Sequence, residues 1–211
     1  MSELTSNSPA DGIGRLLLAT GNRGKADELG RLLHGLPIEL LTLDDIGRVE
    51  EVEETGQTFE ENAALKAAGY ARQARLWTLA DDSGLEIWAL DGAPGVYSAR
   101  FGGSPNYSDK IAALLRLMSA ASSPDRSARF ICAMKVADPS GRIRFSADGI
   151  CRGSIADQPS GTNGFGYDPI FIPDGYLETF GELSDDVKSQ ISHRALAAVQ
   201  IVRFLQDFKG N

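Results

Sequence analysis

Short apolar runs and helical spacings alternate along the first half of the chain. Residues 15–20 (RLLLAT) form an apolar run with the length of a buried parallel strand, broken at Gly21-Asn22-Arg23-Gly24-Lys25. Leu29, Leu32 and Leu33 then recur at helical spacing, and Gly35 and Pro37 stop the helix. A second strand is predicted over 38–43. Thr58 and Glu61 stand in the relation of a capping box and open a helix over 59–74. Phe59, Ala63, Ala67, Tyr70 and Ala74 supply its buried face, while Asn62 and Lys66, four apart, share another. Leu76, Trp77, Leu79 and Ala80 predict a buried strand that ends in Asp81-Asp82-Ser83-Gly84, with a further strand over 85–89.

The second half reads differently. A helix is predicted over 107–120. Alternating segments at 128–137 and 142–151 flank Asp138-Pro139-Ser140-Gly141 and predict an antiparallel hairpin. A glycine-rich loop occupies 161–169, followed by a short strand over 170–172, a short helix from Ser184 and a final helix over 192–208. No repeat or separating linker is present. Residues 1–14 are polar and rich in Pro, Gly and Ser, and read as a disordered leader, leaving 15–211 as a single domain of mixed α/β class.

Composition narrows the function. The formal net charge is −8 and no basic run exists, which argues against nucleic acid as a bulk partner. An acidic chain that binds a polyanionic small molecule needs a divalent cation and a few well-placed Lys or Arg. No apolar run approaches the ~18 residues that would span a membrane, and no secretory pattern is seen, so a cytoplasmic protein is expected. Cys132 and Cys151 fall in adjacent strand-like segments and read as small core residues. With two histidines and no CxxC or HExxH, a structural zinc site is disfavoured.

The candidate chemistry centres on Asp81-Asp82-Ser83-Gly84. Side chains on a strand alternate between faces, so Asp81 and Asp82 point to opposite sides and need not share a job. Open α/β sheets place ligand chemistry at the ends of such strands. The plain alternative is a turn in which Asp and Ser cap backbone groups. Thr20 to Lys25 sits on a strand-to-helix turn, where free N–H groups and the helix dipole attract phosphate. It is no P-loop: Ala19 stands where the first glycine is required, and Ala26 replaces the hydroxyl residue that would hold magnesium. The acidic stretch Glu50, Glu51, Glu53 and Glu54 is by default a solvated face. One of its carboxylates together with Asp82 would suit Mg²⁺, which takes few protein ligands. Lys66, Arg100, Lys188 and Arg194 are by default solvated. Phe165 and Tyr167, set between glycines, suit stacking on a planar base, although a glycine loop with one core aromatic is the plain reading. His193 opens the last helix, and without a GxSxG elbow a Ser-His-Asp hydrolase is disfavoured.

Taken together, these blocks resemble the inosine/xanthosine triphosphate pyrophosphatases, which clear non-canonical purines from the nucleotide pool. The blocks are TGNRGK (20–25), EETGQTFEENAALKA (53–67), LADDSGLEI (79–87), GAPGVYSARFGG (92–103), GTNGFGYDPIF (161–171) and SHRALA (192–197). They run in family order from residue 16 to the last helix, without departure at the motif positions. The resemblance implies an elongated mixed β-sheet flanked by helices, two lobes with a central cleft, and a homodimer. It implies hydrolysis of ITP, dITP and XTP to the monophosphate and pyrophosphate with Mg²⁺. Carried over, Thr20, Gly21, Asn22, Arg23, Gly24 and Lys25 bind the triphosphate, and Lys66 reaches phosphate. Glu54 and Asp82 handle magnesium, and Asp82 accepts the proton. Ser83 contacts substrate. Phe165, Gly166, Tyr167, Asp168, Lys188, His193 and Arg194 hold the nucleotide, base included.

Selectivity requires a donor facing the 6-oxo edge of the purine, left unpaired by a 6-amino purine; Arg194 and backbone N–H groups near 192–194 are the candidates. Two rivals stand beside this reading. A septum-inhibitor-type nucleotide pyrophosphatase typically begins with a serine-rich, double-arginine turn, unlike TGNRGK. A nucleotide sensor would keep the cleft without turnover, which the presence of Asp82, Glu54 and Lys66 argues against.

Overall fold

The computed structural model describes residues 12–208. Six strands form one mixed sheet: β1 (Arg15–Leu18), β2 (Glu39–Thr42), β3 (Trp77–Ile87), β4 (Ser127–Ala137), β5 (Ile143–Ile155) and β6 (Phe171–Pro173), in the order β2-β1-β3-β4-β5-β6. β1 runs parallel to β2 and β3, and the remaining pairs are antiparallel. Among the described residues five α-helices pack around it: α1 (Arg23–Leu32), α2 (Phe59–Ala74), α3 (Tyr107–Ala120), α4 (Asp185–Ile191) and α5 (His193–Asp207). The α/β class and the 138–141 hairpin match the sequence pattern.

The helices form where the caps allow. Asn22 accepts from the Lys25 N–H at the start of α1, and the Thr58/Glu61 capping box opens α2. α1 and α5 cover one face of the sheet, where Leu16, Leu18, Leu79 and Met134 meet Leu29, Ala198 and Ile201. α2 covers the other, with Ala67 and Tyr70 on Leu17 and Ala80. Farther along β3 and β4, Leu85, Ile87 and Phe130 join Ile111 and Leu114 of α3 and the Phe171–Phe180 pair in another cluster. Asp81, Asp82 and Ser83 lie on β3 between the first of these clusters and the last.

Three expectations need correction. β3 does not end at Asp82: it runs unbroken through Gly84 to Ile87, paired with β4 throughout. Gly84 makes no turn and instead permits close approach, since a Cβ there would stand 2.5 Å from both the Gly95 carbonyl oxygen and the Ser98 hydroxyl. The folded part also begins before residue 15. Ile13 is buried in the core, and the Gly14 carbonyl accepts from the Glu39 N–H. The rest of the expected leader, residues 1–11, lies outside the described residues. Lastly, β5 reaches Ile155, four residues beyond the expected strand. Both cysteines are free and buried, as core residues should be.

Candidate active site

Alternation along β3 places neighbouring carboxylates on opposite faces of the sheet. Asp81 faces α1 and α5. It is fully buried, and its Oδ2 lies 3.1 Å from Lys25 Nζ and 3.1 Å from Arg194 Nη2. Arg194 Nη1 meets Glu28 of α1 at 2.7 Å, and Nη2 also donates to the Ser83 hydroxyl at 2.8 Å. Burial pushes the Asp81 carboxyl up, but Lys25, Arg194 and Lys66 outweigh it and hold it far below the usual carboxylate range. Asp81 is therefore a permanent anion that fixes two cations.

Asp82 faces α2. Lys66 Nζ sits between it and the acidic loop, 3.4 Å from Asp82 Oδ1 and 2.7 Å from Glu54 Oε1. The lysine, expected on a polar helix face, is only 9% exposed. It stays charged because Asp82, Asp81 and Glu54 outweigh its desolvation. Desolvation raises the Asp82 carboxyl above the usual range in spite of Lys66 and Lys25, which makes it the more basic of the two aspartates. Its Oδ2 is buried and has no hydrogen-bond partner among the described residues. Glu54 is held lower: burial raises it, but Lys66 overrides.

These groups line a cleft of about 940 Å³, the size of a small-molecule site. Thr20, Gly21, Asn22 and Lys25 enter it at the start of α1, where the Lys25 N–H is taken by Asn22 and the Arg23 and Gly24 N–H groups are free to meet an anion. Arg23 is exposed and does not line the cleft; Gly24 instead lies beneath the Phe165 ring. Glu51 and Glu53 border the cleft as well, but Glu54 is the one that shares Lys66 with Asp82.

The glycine loop closes the opposite side. The Phe165 N–H donates to Asp168 Oδ2 at 2.7 Å, and the same oxygen takes Lys188 Nζ. Burial pushes the Asp168 carboxyl up, against the pull of Lys188 and that N–H. Lys188 Nζ also stands 4.6 Å from the Phe165 ring centroid, and the Arg194 guanidinium 5.7 Å from it. Gly166 borders the cleft, whereas the Tyr167 hydroxyl donates to the Ser98 carbonyl at 2.9 Å. His193 is buried and stacks on Phe130 at 4.7 Å. Desolvation, with Arg194 and Lys188 beside it, holds its imidazole well below its ordinary value and therefore neutral.

The cleft thus gathers Asp82, Ser83, Glu54, Lys66, Lys188, His193, Arg194, the Phe165–Asp168 loop and four of the six turn residues. The sequence reading missed Glu28 and Tyr107. Glu28 carried a signal: it adjoins Leu29 and lies four residues before Leu32, on the buried side of an otherwise polar helix.

The Ham1 family model matches residues 16–204. The dITP/XTP pyrophosphatase of Bacillus anthracis is 46% identical over 185 residues, covering 87% of this chain and 92% of its own. The dITP/XTP pyrophosphatase of Synechocystis sp. is 45% identical over 188 residues, 89% of this chain and 93% of its own. Among solved structures, a HAM1 protein from Coxiella burnetii superposes with a TM-score of 0.84 at 39% identity, over 92% of this chain and 99% of that one. A nucleoside-triphosphatase / dITP/XTP pyrophosphatase from Mycobacterium abscessus gives a TM-score of 0.71 at 41% identity, over 89% and 98%.

Proposed function

The chain belongs to the Ham1 family, and from that premise we propose that it hydrolyses non-canonical purine nucleoside triphosphates, ITP, dITP and XTP, to the monophosphate and pyrophosphate. The observation that carries the mechanism is the division of labour at β3: Asp81, held ionised by Lys25 and Arg194 on one face, and Asp82, raised by desolvation and lining the cleft on the other; each keeps one buried oxygen without a hydrogen-bond partner among the described residues, but only Asp82 borders the cleft.

The triphosphate meets the Thr20–Lys25 turn, with Lys25 set in place by Asp81 and Lys66 arriving from α2. A water oxygen attacks the α-phosphorus while the bond from that phosphorus to the bridging oxygen breaks. The water proton passes to Asp82 Oδ2, and pyrophosphate leaves. Catalysis is then positioning, charge stabilisation and one general base. Glu54 and Asp82, joined by one lysine and all-oxygen in their donor atoms, fit Mg²⁺. No cluster of three His, Cys, Asp or Glu side chains forms a metal cage among the described residues, in keeping with an ion that relies on water and substrate phosphate. When bound, Mg²⁺ neutralises the triphosphate.

Base selection falls to the start of α5. The Arg194 Nε, Nη1 and Nη2 groups are engaged by Asp81, Glu28 and Ser83, so His193 and the first free N–H groups of α5 are the donors nearest to hand for a 6-oxo purine. A homodimer of two-lobed subunits in the cytoplasm belongs to the same reading, supported by the family resemblance. No helix among the described residues is long and apolar enough to cross a membrane. Product analysis by ³¹P NMR on ITP, XTP, dITP, ATP and GTP tests the reading. Pyrophosphate from the first three supports it, and orthophosphate as first product overturns it.

A further inference from the structure

One aromatic side chain in the cleft is left without a role by the mechanism above. Tyr107 is the first residue of α3 and packs, half-buried, at the margin of the hydrophobic cluster around Ile111 and Leu114. Its ring is held from three sides. It stands edge-on to Tyr167 at 5.4 Å and 89°, and it covers Gly166, whose added Cβ would lie 3.6 Å from it. On the third side Lys110 Nζ lies 4.3 Å from the ring centroid. Lys110 is 3% exposed and forms no ion pair among the described residues; this ring is the partner the structure gives it.

The hydroxyl is treated differently from that of Tyr167. Tyr167 uses its hydroxyl on the Ser98 carbonyl, whereas the Tyr107 hydroxyl makes no hydrogen bond among the described residues, and the ring lines the cleft. It lies within the electrostatic reach of Arg194 and Asp168, and its ring covers Gly166 of the loop that the nucleotide reading gives to the base. Burial raises its pKa above the ordinary tyrosine value, so the phenol keeps its proton and can donate as well as accept. A tyrosine that is only packing would not be fixed on three sides with its polar end left open to a ligand cleft.

We propose that Tyr107 is a specificity-determining residue of the purine subsite: its ring walls the base and its hydroxyl hydrogen-bonds a polar atom of it. This rests on the nucleotide reading of the cleft and adds to it a residue from α3, an element that reading gives no part. Lys110 acts as a positioning residue that holds the ring.

Calorimetric binding of inosine 5′-monophosphate and of inorganic tripolyphosphate separates the base end from the phosphate end. Tyr107→Phe should weaken inosine monophosphate by about 3- to 10-fold, the net worth of one hydrogen bond. Tyr107→Ala, which also removes the ring, should weaken it by more than ~10-fold. In both variants tripolyphosphate affinity should stay within about twofold of wild type, and KM for ITP should rise more than kcat falls. Tyr107→Phe keeps the ring and its packing, so its melting temperature should match wild type and the fold is not in question. Inosine monophosphate affinity within about twofold of wild type in both variants, or equal loss for both ligands, overturns the inference. A wild-type protein that neither binds inosine monophosphate nor hydrolyses ITP overturns the nucleotide reading itself, and the inference with it.

Discussion

Asp81 and Asp82 are adjacent in sequence and serve opposite faces of the sheet: one is sealed between Lys25 and Arg194, the other shares Lys66 with Glu54. The strand pleat alone produces this separation. It lets two carboxylates one residue apart hold different protonation tendencies. The cations around Asp81 keep it ionised, and desolvation raises Asp82. A helix could not do the same, because neighbouring side chains there diverge by only about 100°.

Glu54→Gln tests the metal assignment. Glu54 contacts Lys66 at 2.7 Å and is only half-buried, so the change should leave the melting temperature near wild type. The Mg²⁺ concentration for half-maximal activity should rise by about 10-fold, the effect of weakening one ligand of a sparsely ligated ion. An unchanged Mg²⁺ titration moves the role to Glu51 or Glu53, which border the same cleft.

Glu28→Gln tests the anchor of Arg194. The pair is buried on both sides at 2.7 Å, and the amide keeps one hydrogen bond but removes the charge. Stability should fall by about 2–3 kcal/mol, the scale of a hydrogen bond to a charged group. That corresponds to roughly 4–12 °C in melting temperature for a domain of this size. An unchanged melting curve would show that Asp81 alone suffices to hold the guanidinium.

Much of this site was legible in the sequence, and the parts that were not have identifiable physical causes. Thr58 and Glu61 announced α2 because a capping box is a local interaction, and the structure forms it. The opposite facing of Asp81 and Asp82 followed from strand geometry alone. What failed was the end of β3: Gly84 looks like a turn in one dimension, and only the approach of Gly95 and Ser98 shows why a strand needs glycine there. Lys66 looked solvated because nothing local in the sequence shows that Glu54 and Asp82 converge on it. Glu28 was missed because its partners lie more than 160 residues away at Ser192 and Arg194.

His193 gives the fold a defined pH dependence. Its folded-state value lies well below the ordinary 6.5, so the folded protein binds fewer protons than the unfolded chain. Its contribution to stability is complete above about pH 6.5 and is lost as pH falls toward the folded value, by at most about 1.4 kcal/mol per pH unit. Melting temperature should therefore drop between pH 7 and 5, and His193→Gln should flatten that slope. An equally steep slope in the variant would assign the dependence to another group.

Base discrimination should appear in kcat/KM. A site whose buried donors face a 6-oxo group leaves them unpaired against a 6-amino purine, so ITP, dITP or XTP should exceed ATP by at least ~10²-fold. A steady-state comparison of ITP and ATP checks this, and equal turnover would remove base recognition from the account.

The division of labour between the paired aspartates is tested most directly by Asp81→Asn and Asp82→Asn measured side by side for kcat on ITP and for melting temperature. Full burial between two cations makes Asp81→Asn the costlier change for stability. Removing its charge should cost about 3–5 kcal/mol, because Lys25 and Arg194 lose their counter-charge. Asp82→Asn should leave the fold nearly intact, since the amide still accepts from Lys66. It should lower kcat by roughly 10²- to 10⁴-fold, the range for a lost general base. An Asp82→Asn protein with near-normal kcat, or an Asp81→Asn protein as stable as wild type, would contradict the account.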